Sequence, residues 1–376
     1  MELEKSKLFM PWTDPESGTT VYLLTEKVAP VQEAFYFVND SMDGEGRYLW
    51  FYCAFPPSGE AAQGRTLGVV DFEKQTVCHF PETQFNDASP FVDPITAQVY
   101  WCMGTAIWRR GPNPDDLVEQ VNTFPDDLVG NRKFYKLATH LTRSEDGKAF
   151  FVDASFGLQY VFGSLPVNGS DFQMWQRFDR HFNHAQFNPV TPDLVLFADG
   201  LHADPITGLR FDILDRMWLI EQGEKARPVF DTPTVVTHEW WDLDGQHVWC
   251  VKSGQATWRV NIETQAVEEI AWDGGTWHAH NSQTGTYLVG DGFDRSTSKQ
   301  FFRGRASTVD FLNRETGRNL RIVNNPEMLG RTGSKYHIDP HPRFCGSDRF
   351  VVFTTTVRGE VDLAVVRTSD LIDRTS

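Results

Sequence analysis

The chain repeats one short pattern seven times, and this repeat limits the folds that are open to it. In each copy a strand start leads into a polar turn, and a strongly apolar strand such as RYLWFYCAF, DLVLFADG or RFVVFTTTV follows. The turns are 40 to 63 residues apart and fall near Asp43, Asp93, Asp146, Thr191, Asp244, Thr284 and Ser347. All-β repeats of this length are typical of propeller blades. The sequence therefore predicts an all-β protein, a seven-bladed β-propeller.

The repeats also bear on domain organisation. We find no linker long enough to separate domains, so we expect residues 1–376 to form a single propeller domain. One further strand, TTVYLLTEK (Thr19 to Lys27), precedes the first complete repeat. We expect it to complete the last blade, which would close the ring and cover the edge of that sheet.

The charge of the chain excludes some classes of partner. The formal net charge is -16, whereas phosphate backbones and anionic membranes attract basic surfaces. No apolar run approaches the roughly 18 residues of a membrane-spanning helix. We expect no nucleic acid and no membrane as partners. A small anionic ligand is compatible with this charge, since a local cluster of basic groups or a metal outweighs the global field.

The cysteines and the first residues bear on location. The five cysteines are odd in number and scattered without a CxxC motif, a pattern of reduced thiols. The stretch MELEKSKLFMPWTDPESG has no apolar core of a secretion signal. We expect a cytoplasmic protein.

Five of the eleven histidines share one position relative to the turns. His140, His238, His278 and His341 each precede the turn residue of their repeat by six positions, and His184 precedes Thr191 by seven. The first strand of every blade lines the central channel, so these side chains should converge at one end of it. A single histidine there would more often satisfy backbone groups. Five together indicate metal ligands or a general base.

Several shorter motifs carry weaker signals. WHAHN places His278 and His280 two residues apart, either as two ligands on one strand face or as one functional and one packing residue. YHIDPHPRF gathers ligand types into six residues and is the strongest local metal signal. DLDG starts like a calcium loop but lacks its closing glutamate, so we interpret it as a turn. GDGFD (Gly290 to Asp294) is also interpreted as a turn after a strand.

Longer stretches of the sequence resemble a known family. The pieces FPDDLVG, NHAQFNP, LDRMWLI, VTHEWWDLDG, LVGDGFD and DPHPRF follow the order found in the oligogalacturonate lyases, the polysaccharide lyases of family twenty-two. The resemblance covers about Phe35 to Asp370 and is most specific around Arg216 and His238. It implies a cytoplasmic seven-bladed propeller that uses a divalent metal, manganese, to act on short galacturonides.

The resemblance also implies roles for individual residues. By the motif THEWW, His238 corresponds to the general base, and by LDRMW, Arg216 corresponds to the arginine that binds the substrate carboxylate. Glu239 follows His238 and is expected on the opposite strand face by simple alternation. His184 and Trp277 are expected to contact the substrate, Trp277 by stacking on a sugar ring.

The last motif departs from the family pattern of a glutamine followed by HPHP. His278 and His341 match metal-binding histidines, whereas Asp339 stands where the other histidine belongs. Tyr336 replaces the glutamine, and we expect it near the substrate. His337 lies one residue away and is a substitute ligand. The expected metal site is therefore His278, His337, Asp339 and His341.

These residue types permit one chemistry in particular. A uronate lyase removes the C5 proton beside a carboxylate and expels the C4 glycosidic oxygen, leaving a 4,5-unsaturated uronate. A divalent cation or a guanidinium aimed at that carboxylate stabilises the developing charge. We therefore expect a lyase whose partner is a short uronate oligosaccharide.

Two alternatives stay open from the sequence. A different uronide, such as a glucuronate–rhamnose linkage, would fit the altered last motif, with Tyr336 as general acid. From another class, the chain would be a non-enzymatic TolB-like propeller that binds a partner on its top face. The clustered histidines and the absent export signal count against the second alternative.

Overall fold

The computed structural model of the chain is a seven-bladed β-propeller, which confirms the predicted fold class. It describes residues 3–59, 63–86, 88–200, 202–203, 207–252, 256–272, 277–293, 306–328 and 338–376. Within these ranges the helices are short: a 3-10 turn (Leu3–Lys5), α1 (Asp126–Val129) and α2 (Thr368–Thr375). None of the described helices has the length and apolar character needed to cross a membrane.

The strands follow one another blade by blade along the chain. Two of them, β1 (Phe9–Thr13) and β2 (Thr20–Leu24), precede the first blade. Blade one contains β3 (Val31–Glu33), β4 (Tyr48–Ala54), β5 (Gln63–Asp71) and β6 (Thr76–Asn86). Blade two contains β7 (Phe91–Val92), β8 (Val99–Met103), β9 (Ala106–Arg110) and β10 (Glu119–Thr123). Blade three contains β11 (Phe134–Lys136), β12 (Thr142–Arg143), β13 (Ala149–Phe156), β14 (Gln159–Pro166) and β15 (Gln173–Phe178).

The remaining blades continue the series. Blade four contains β16 (Phe182–Phe187), β17 (Leu194–Asp199), β20 (Met217–Glu221) and β21 (Arg227–Pro228), with the hairpin β18 (His202–Ala203) and β19 (Arg210–Phe211) inserted after β17. Blade five contains β22 (Thr237–Trp241), β23 (His247–Lys252), β24 (Ala256–Asn261) and β25 (Val267–Ala271). Blade six contains β26 (Ala279–Asn281), β27 (Tyr287–Phe293), β28 (Ser307–Asn313) and β29 (Arg318–Asn325). Blade seven contains β30 (Arg343–Cys345), β31 (Phe350–Thr355) and β32 (Asp362–Arg367).

The polar turns of the sequence repeat join the first and second strands of the blades. Oδ1 of Asp93 accepts backbone hydrogen bonds from Ile95 (2.8 Å) and Thr96 (3.0 Å). Oδ1 of Asp244 accepts the equivalent bonds from Gln246 (2.8 Å) and His247 (3.0 Å). An aspartate that binds the backbone two and three residues ahead favours a turn. DLDG is such a turn, as predicted.

The N-terminal segment joins the last blade. In β2, Tyr22 and Leu23 pair antiparallel with Val365 and Ala364 of β32, and β1 pairs with the other side of β2. The first and last parts of the chain thus share a five-stranded sheet. The extra outer strand β1 was not anticipated from the sequence.

Aromatic side chains fill the space between the blades. Between blades three and four, Phe162 contacts Phe178 and Phe197, with ring centroids 4.9 and 5.1 Å apart. Burying one such side chain contributes about 1.5–3 kcal/mol. One blade alone cannot bury its apolar face, so the packing between blades stabilises the ring. All five cysteines are free thiols.

Candidate active site

The histidines of the common register meet at the centre of the propeller, although five blades supply them. The ring centroids of His140 and His184 are 4.7 Å apart. His278 lies 4.4 Å from His238 on one side and 4.3 Å from His341 on another, again between centroids. Matching positions on the first strands therefore converge, as the repeat predicts.

Three of these histidines occupy the left-handed region of backbone space. The φ angle is 57° at His184, 52° at His238 and 46° at His341. In β16 and β22 the strand pairing shifts register at these same places, so each strand contains a bulge. A bulge re-aims side chains and interrupts their alternation. Such conformations cost of order 1–3 kcal/mol and cluster at functional sites.

Arg216, Glu239 and His184 form a charged cluster that we call the arginine group. Nε of Arg216 donates to Oε2 of Glu239 at 2.8 Å, and Nδ1 of His184 lies 3.2 Å from Oε1. Glu239 is completely buried. Burial alone would raise the pKa of this carboxyl, but the charge of Arg216 and the hydrogen bond with His184 outweigh it and hold the pKa below the usual range.

Glu239 lies in the bulge of β22, where the pairing shifts register between Thr237 and Trp240. Strict alternation of side chains therefore does not hold next to His238. The carboxylate contacts Arg216 and His184 rather than the imidazole of His238. Glu239 therefore positions Arg216, a contact that the sequence analysis did not predict.

His278, Asp339 and His341 form a second cluster, which we call the metal group. One ligand atom from each lies within 4.8 Å of the others, and all three residues are buried. Two imidazoles and a carboxylate that converge in this way form a donor set able to hold a divalent cation.

Asp291 forms hydrogen bonds with two residues of the metal group, His278 and His341. Its Oδ2 lies 2.9 Å from Nδ1 of His278, and its Oδ1 accepts the backbone N–H of His278 at 2.7 Å. The backbone N–H of His341 also donates to Oδ2, at 3.2 Å. A carboxylate on Nδ1 fixes the tautomer and the ring orientation of a metal-binding histidine.

Asp291 also corrects the interpretation of GDGFD as a turn. Gly290 and Asp291 lie within β27, and Gly290 pairs with Ala279 of β26. His278 and Asp291 are placed almost symmetrically about the turn at Thr284. Counting outward from that turn would have indicated this contact.

His238 packs against the metal group. Its ring centroid is 4.7 Å from Trp277 and 4.4 Å from His278. The Nδ1 atom is buried and has no hydrogen-bond partner among the described residues. Burial, with the nearby His278 and Arg216, lowers the pKa of His238 well below its usual value. Its imidazole is therefore neutral at pH 7 and able to accept a proton.

Tyr36 contacts four of the five histidines and was not predicted. Its ring stacks on His140 at 4.9 Å and contacts His341 at 4.9 Å, His278 at 5.7 Å and His184 at 6.1 Å. Burial and then the charge of Glu239 raise the pKa of Tyr36 well above its ordinary value, so the phenol is protonated. Tyr36 precedes Asp43 by seven positions, as His184 precedes its turn residue. Tyr36 therefore shares the register of the five histidines but carries a different side chain.

Comparisons with known proteins decide the family. The chain matches no protein-family model. It is 30% identical to the oligogalacturonide lyase of Pectobacterium atrosepticum over 395 aligned positions, which cover 97% of each chain. The chain belongs to the oligogalacturonide lyase family. The oligogalacturonate lyase of Dickeya dadantii is 22% identical, with 97% of each chain covered.

Solved structures of similar proteins agree in fold. A structure described as oligogalacturonate lyase in complex with manganese has a TM-score of 0.71, with 18% identity and 96% of each chain covered. The oligogalacturonate lyase of Vibrio parahaemolyticus has a TM-score of 0.72 at 16% identity, covering 96% of this chain and 97% of its own. Membership of the oligogalacturonide lyase family supports an enzyme over a non-enzymatic binding propeller.

The other site residues predicted for this member of the oligogalacturonide lyase family have three different outcomes in the structure. Trp277 lies beside His238, within the site. His280 lies outside the metal group, because its Nε2 is 2.7 Å from Nη1 of Arg343 and both line a separate cavity of about 260 Å³. Tyr336 and His337 fall outside the described residues.

Proposed function

We propose that the protein cleaves short uronate oligosaccharides by metal-assisted β-elimination, yielding a 4,5-unsaturated uronate. One observation carries the proposal: His238 lies 4.4 Å from His278 of the metal group, between ring centroids, and the charge of Arg216, which a buried carboxylate holds, also acts on its imidazole. Proton removal beside a carboxylate needs a base and a positive group together. The named relatives, described as oligogalacturonide and oligogalacturonate lyases, support short galacturonides as the substrate.

Arg216 is the proposed contact for the substrate carboxylate. Glu239 engages its Nε edge at 2.8 Å, while Nη1 makes no hydrogen bond to the described residues. The Nη1 side thus remains available to a carboxylate, and the planar guanidinium matches two oxygens at once. Because Glu239 is buried and ionised, it fixes the direction in which Arg216 points.

The metal group fits a divalent cation, which we assign to manganese. Its donors are two imidazoles and one carboxylate, and Asp291 orients His278. A set with a hard oxygen donor suits such a cation better than a closed thiolate site does. The similar structure described as a manganese complex supports the choice. When bound, the cation would offset the negative charge that builds on the substrate carboxylate.

We propose that side chains of the site carry out the elimination as follows. His238 accepts the C5 proton, and the electron pair of that bond forms the C4–C5 double bond as the glycosidic oxygen leaves. The low pKa of His238 keeps it neutral before the reaction. We propose that Trp277, beside His238, stacks on a sugar ring and that His184, beside Arg216, contacts the substrate. We retain the proposal that Tyr336 contacts the substrate and that His337 contributes to the metal site.

We also propose a cytoplasmic location. Five free cysteines, none of them in a disulfide, support a reducing compartment. Fractionation of the source cells with an antibody to the protein tests this, and recovery in a secreted fraction would contradict it.

The function is tested with a panel of uronides and the purified manganese-loaded protein. Saturated and unsaturated digalacturonide and trigalacturonide are incubated beside a glucuronate–rhamnose disaccharide, and products are followed by ultraviolet absorbance and mass spectrometry. We expect conjugated unsaturated uronate from the galacturonides. Turnover of the glucuronate–rhamnose compound alone would move the substrate to another uronide. Absence of any unsaturated product would contradict the lyase assignment.

A further inference from the structure

The proposed elimination requires a second proton transfer, to the leaving glycosidic oxygen. When the bond from C4 to the glycosidic oxygen breaks, that oxygen leaves as an alkoxide of the neighbouring sugar and needs a proton. His238 has just gained a proton at the C5 side. In a galacturonide the C5 hydrogen and the C4 oxygen lie on opposite faces of the ring. The donor must therefore approach from the face opposite to His238.

Tyr36 is placed to meet this requirement. It comes from blade one and His238 from blade five, and among the described residues its ring contacts the other four histidines of the register but not His238. The ring of Tyr36 lies 6.1 Å from His184 of the arginine group and 4.9 Å from His341 of the metal group, between centroids. A substrate whose carboxylate is held by these two groups would lie against the phenol.

We propose that Tyr36 donates the proton to the leaving glycosidic oxygen. The inference rests on the proposed lyase function and adds a catalytic residue to it. His238 takes hydrogen from C5, the C–H electron pair becomes the C4–C5 double bond, and the C4–O pair leaves with the oxygen. The Tyr36 hydroxyl transfers its proton to that oxygen. The resulting phenolate recovers a proton from solvent, and His238 releases one to solvent, so the cycle balances.

The competing explanation is that Tyr36 only closes the channel. Its ring contacts histidines of four blades, and an aromatic ring alone would fill that space. Tyr36→Phe separates the two explanations, because it keeps the ring and removes only the hydroxyl. Tyr100→Phe is the matched control. Tyr100 is a buried tyrosine of blade two, and its hydroxyl donates to Oε1 of Gln98 at 3.3 Å.

The experiment compares two substrates that differ in their leaving group. One is saturated digalacturonide, whose leaving sugar oxygen requires a proton. The other is a galacturonate carrying a 4-nitrophenyl group on O4, whose leaving phenolate requires none. We expect Tyr36→Phe to lower kcat on digalacturonide by about 10²- to 10⁴-fold, the usual contribution of general acid–base catalysis, with a small change in KM. On the nitrophenyl compound kcat should fall less than about tenfold, and manganese affinity and Tm should match those of the wild type.

Three results would overturn the role of Tyr36: equal losses of kcat on both substrates, no loss on either, or a loss of manganese affinity that accounts for the loss of activity. The Tyr100→Phe variant should behave as the wild type on both substrates. A wild-type protein that forms no unsaturated product from either substrate would instead overturn the proposed function on which this inference rests.

Discussion

Glu239 is completely buried, and its Oε2 accepts a hydrogen bond from Nε of Arg216 at 2.8 Å. The pair joins β22 of blade five to the segment that leads into β20 of blade four, and it determines where the guanidinium points. A buried ion pair of this kind is costly to break from one side, because the remaining charge stays buried without compensation.

Glu239→Gln should therefore destabilise the protein by about 3–5 kcal/mol, measured as the free energy of unfolding in urea. The surface pair of Arg227 and Glu263, 3.2 Å apart, supplies the control, since Glu263→Gln should cost less than about 1 kcal/mol. Equal effects of the two substitutions would contradict the role of Glu239.

The same pair predicts a dependence on pH. The pKa of Glu239 is lowered from its ordinary value of 4.5 in the folded protein. A lowered folded pKa contributes stability that is fully present above the unfolded pKa and is lost as the pH falls through the folded pKa. The stability difference between wild type and Glu239→Gln should thus be constant from pH 7 down to about 5 and shrink at more acidic pH. Urea unfolding at a series of pH values measures it, and a difference that grows on acidification would contradict the prediction.

Replacement of His238 tests the general base. Asparagine suits the left-handed φ of 52° at this position, so His238→Asn should preserve the bulge and the fold. We expect kcat to fall by about 10²- to 10⁴-fold with unchanged metal content and Tm. His247→Asn, on the next strand of the same blade, is the control. A near-normal kcat in His238→Asn would remove this residue from the mechanism.

Arg216→Lys tests the contact with the substrate carboxylate. Lysine keeps the charge but loses the planar pair of donors, so kcat/KM should fall by about tenfold to a hundredfold, the equivalent of ~1.5–3 kcal/mol. Arg259→Lys, which replaces an arginine bound to Asp242 and Asp244, should leave kcat/KM unchanged. Wild-type kcat/KM in Arg216→Lys would show that the carboxylate is bound elsewhere.

Much of the fold was predictable because its signal is local and repeated. Turn residues such as Asp93 and Asp244 fix the start of each blade through short-range hydrogen bonds, and the histidine register follows from them. The contacts of three site residues escaped prediction for physical reasons. Glu239 lies in a bulge, where simple alternation fails, the glycines around Asp291 resemble a turn, and Tyr36 has a different side chain from the others in its register. The role of Arg216 came only from the family resemblance.

Asp291→Asn tests the support of the metal group. The amide cannot hold Nδ1 of His278 as the carboxylate does, so manganese affinity should fall by about 10- to 100-fold. Calorimetric titration with manganese measures this. Asp310→Asn alters another buried carboxylate, on the neighbouring strand and bound to Arg321, and should leave the affinity unchanged. Equal affinities in wild type and Asp291→Asn would mean that Asp291 does not support a metal.

The central claim, that a cation at His278, Asp339 and His341 acts in the reaction and not in the fold, is tested by removing it. Packing between blades supplies the stability, so chelation should not unfold the protein. The measurement is the formation of unsaturated product from digalacturonide by protein treated with EDTA and dialysed, before and after manganese is restored, with Tm recorded throughout. We predict that product formation stops on chelation and returns with manganese while Tm changes little. Full activity in protein shown by elemental analysis to contain no metal would contradict the account.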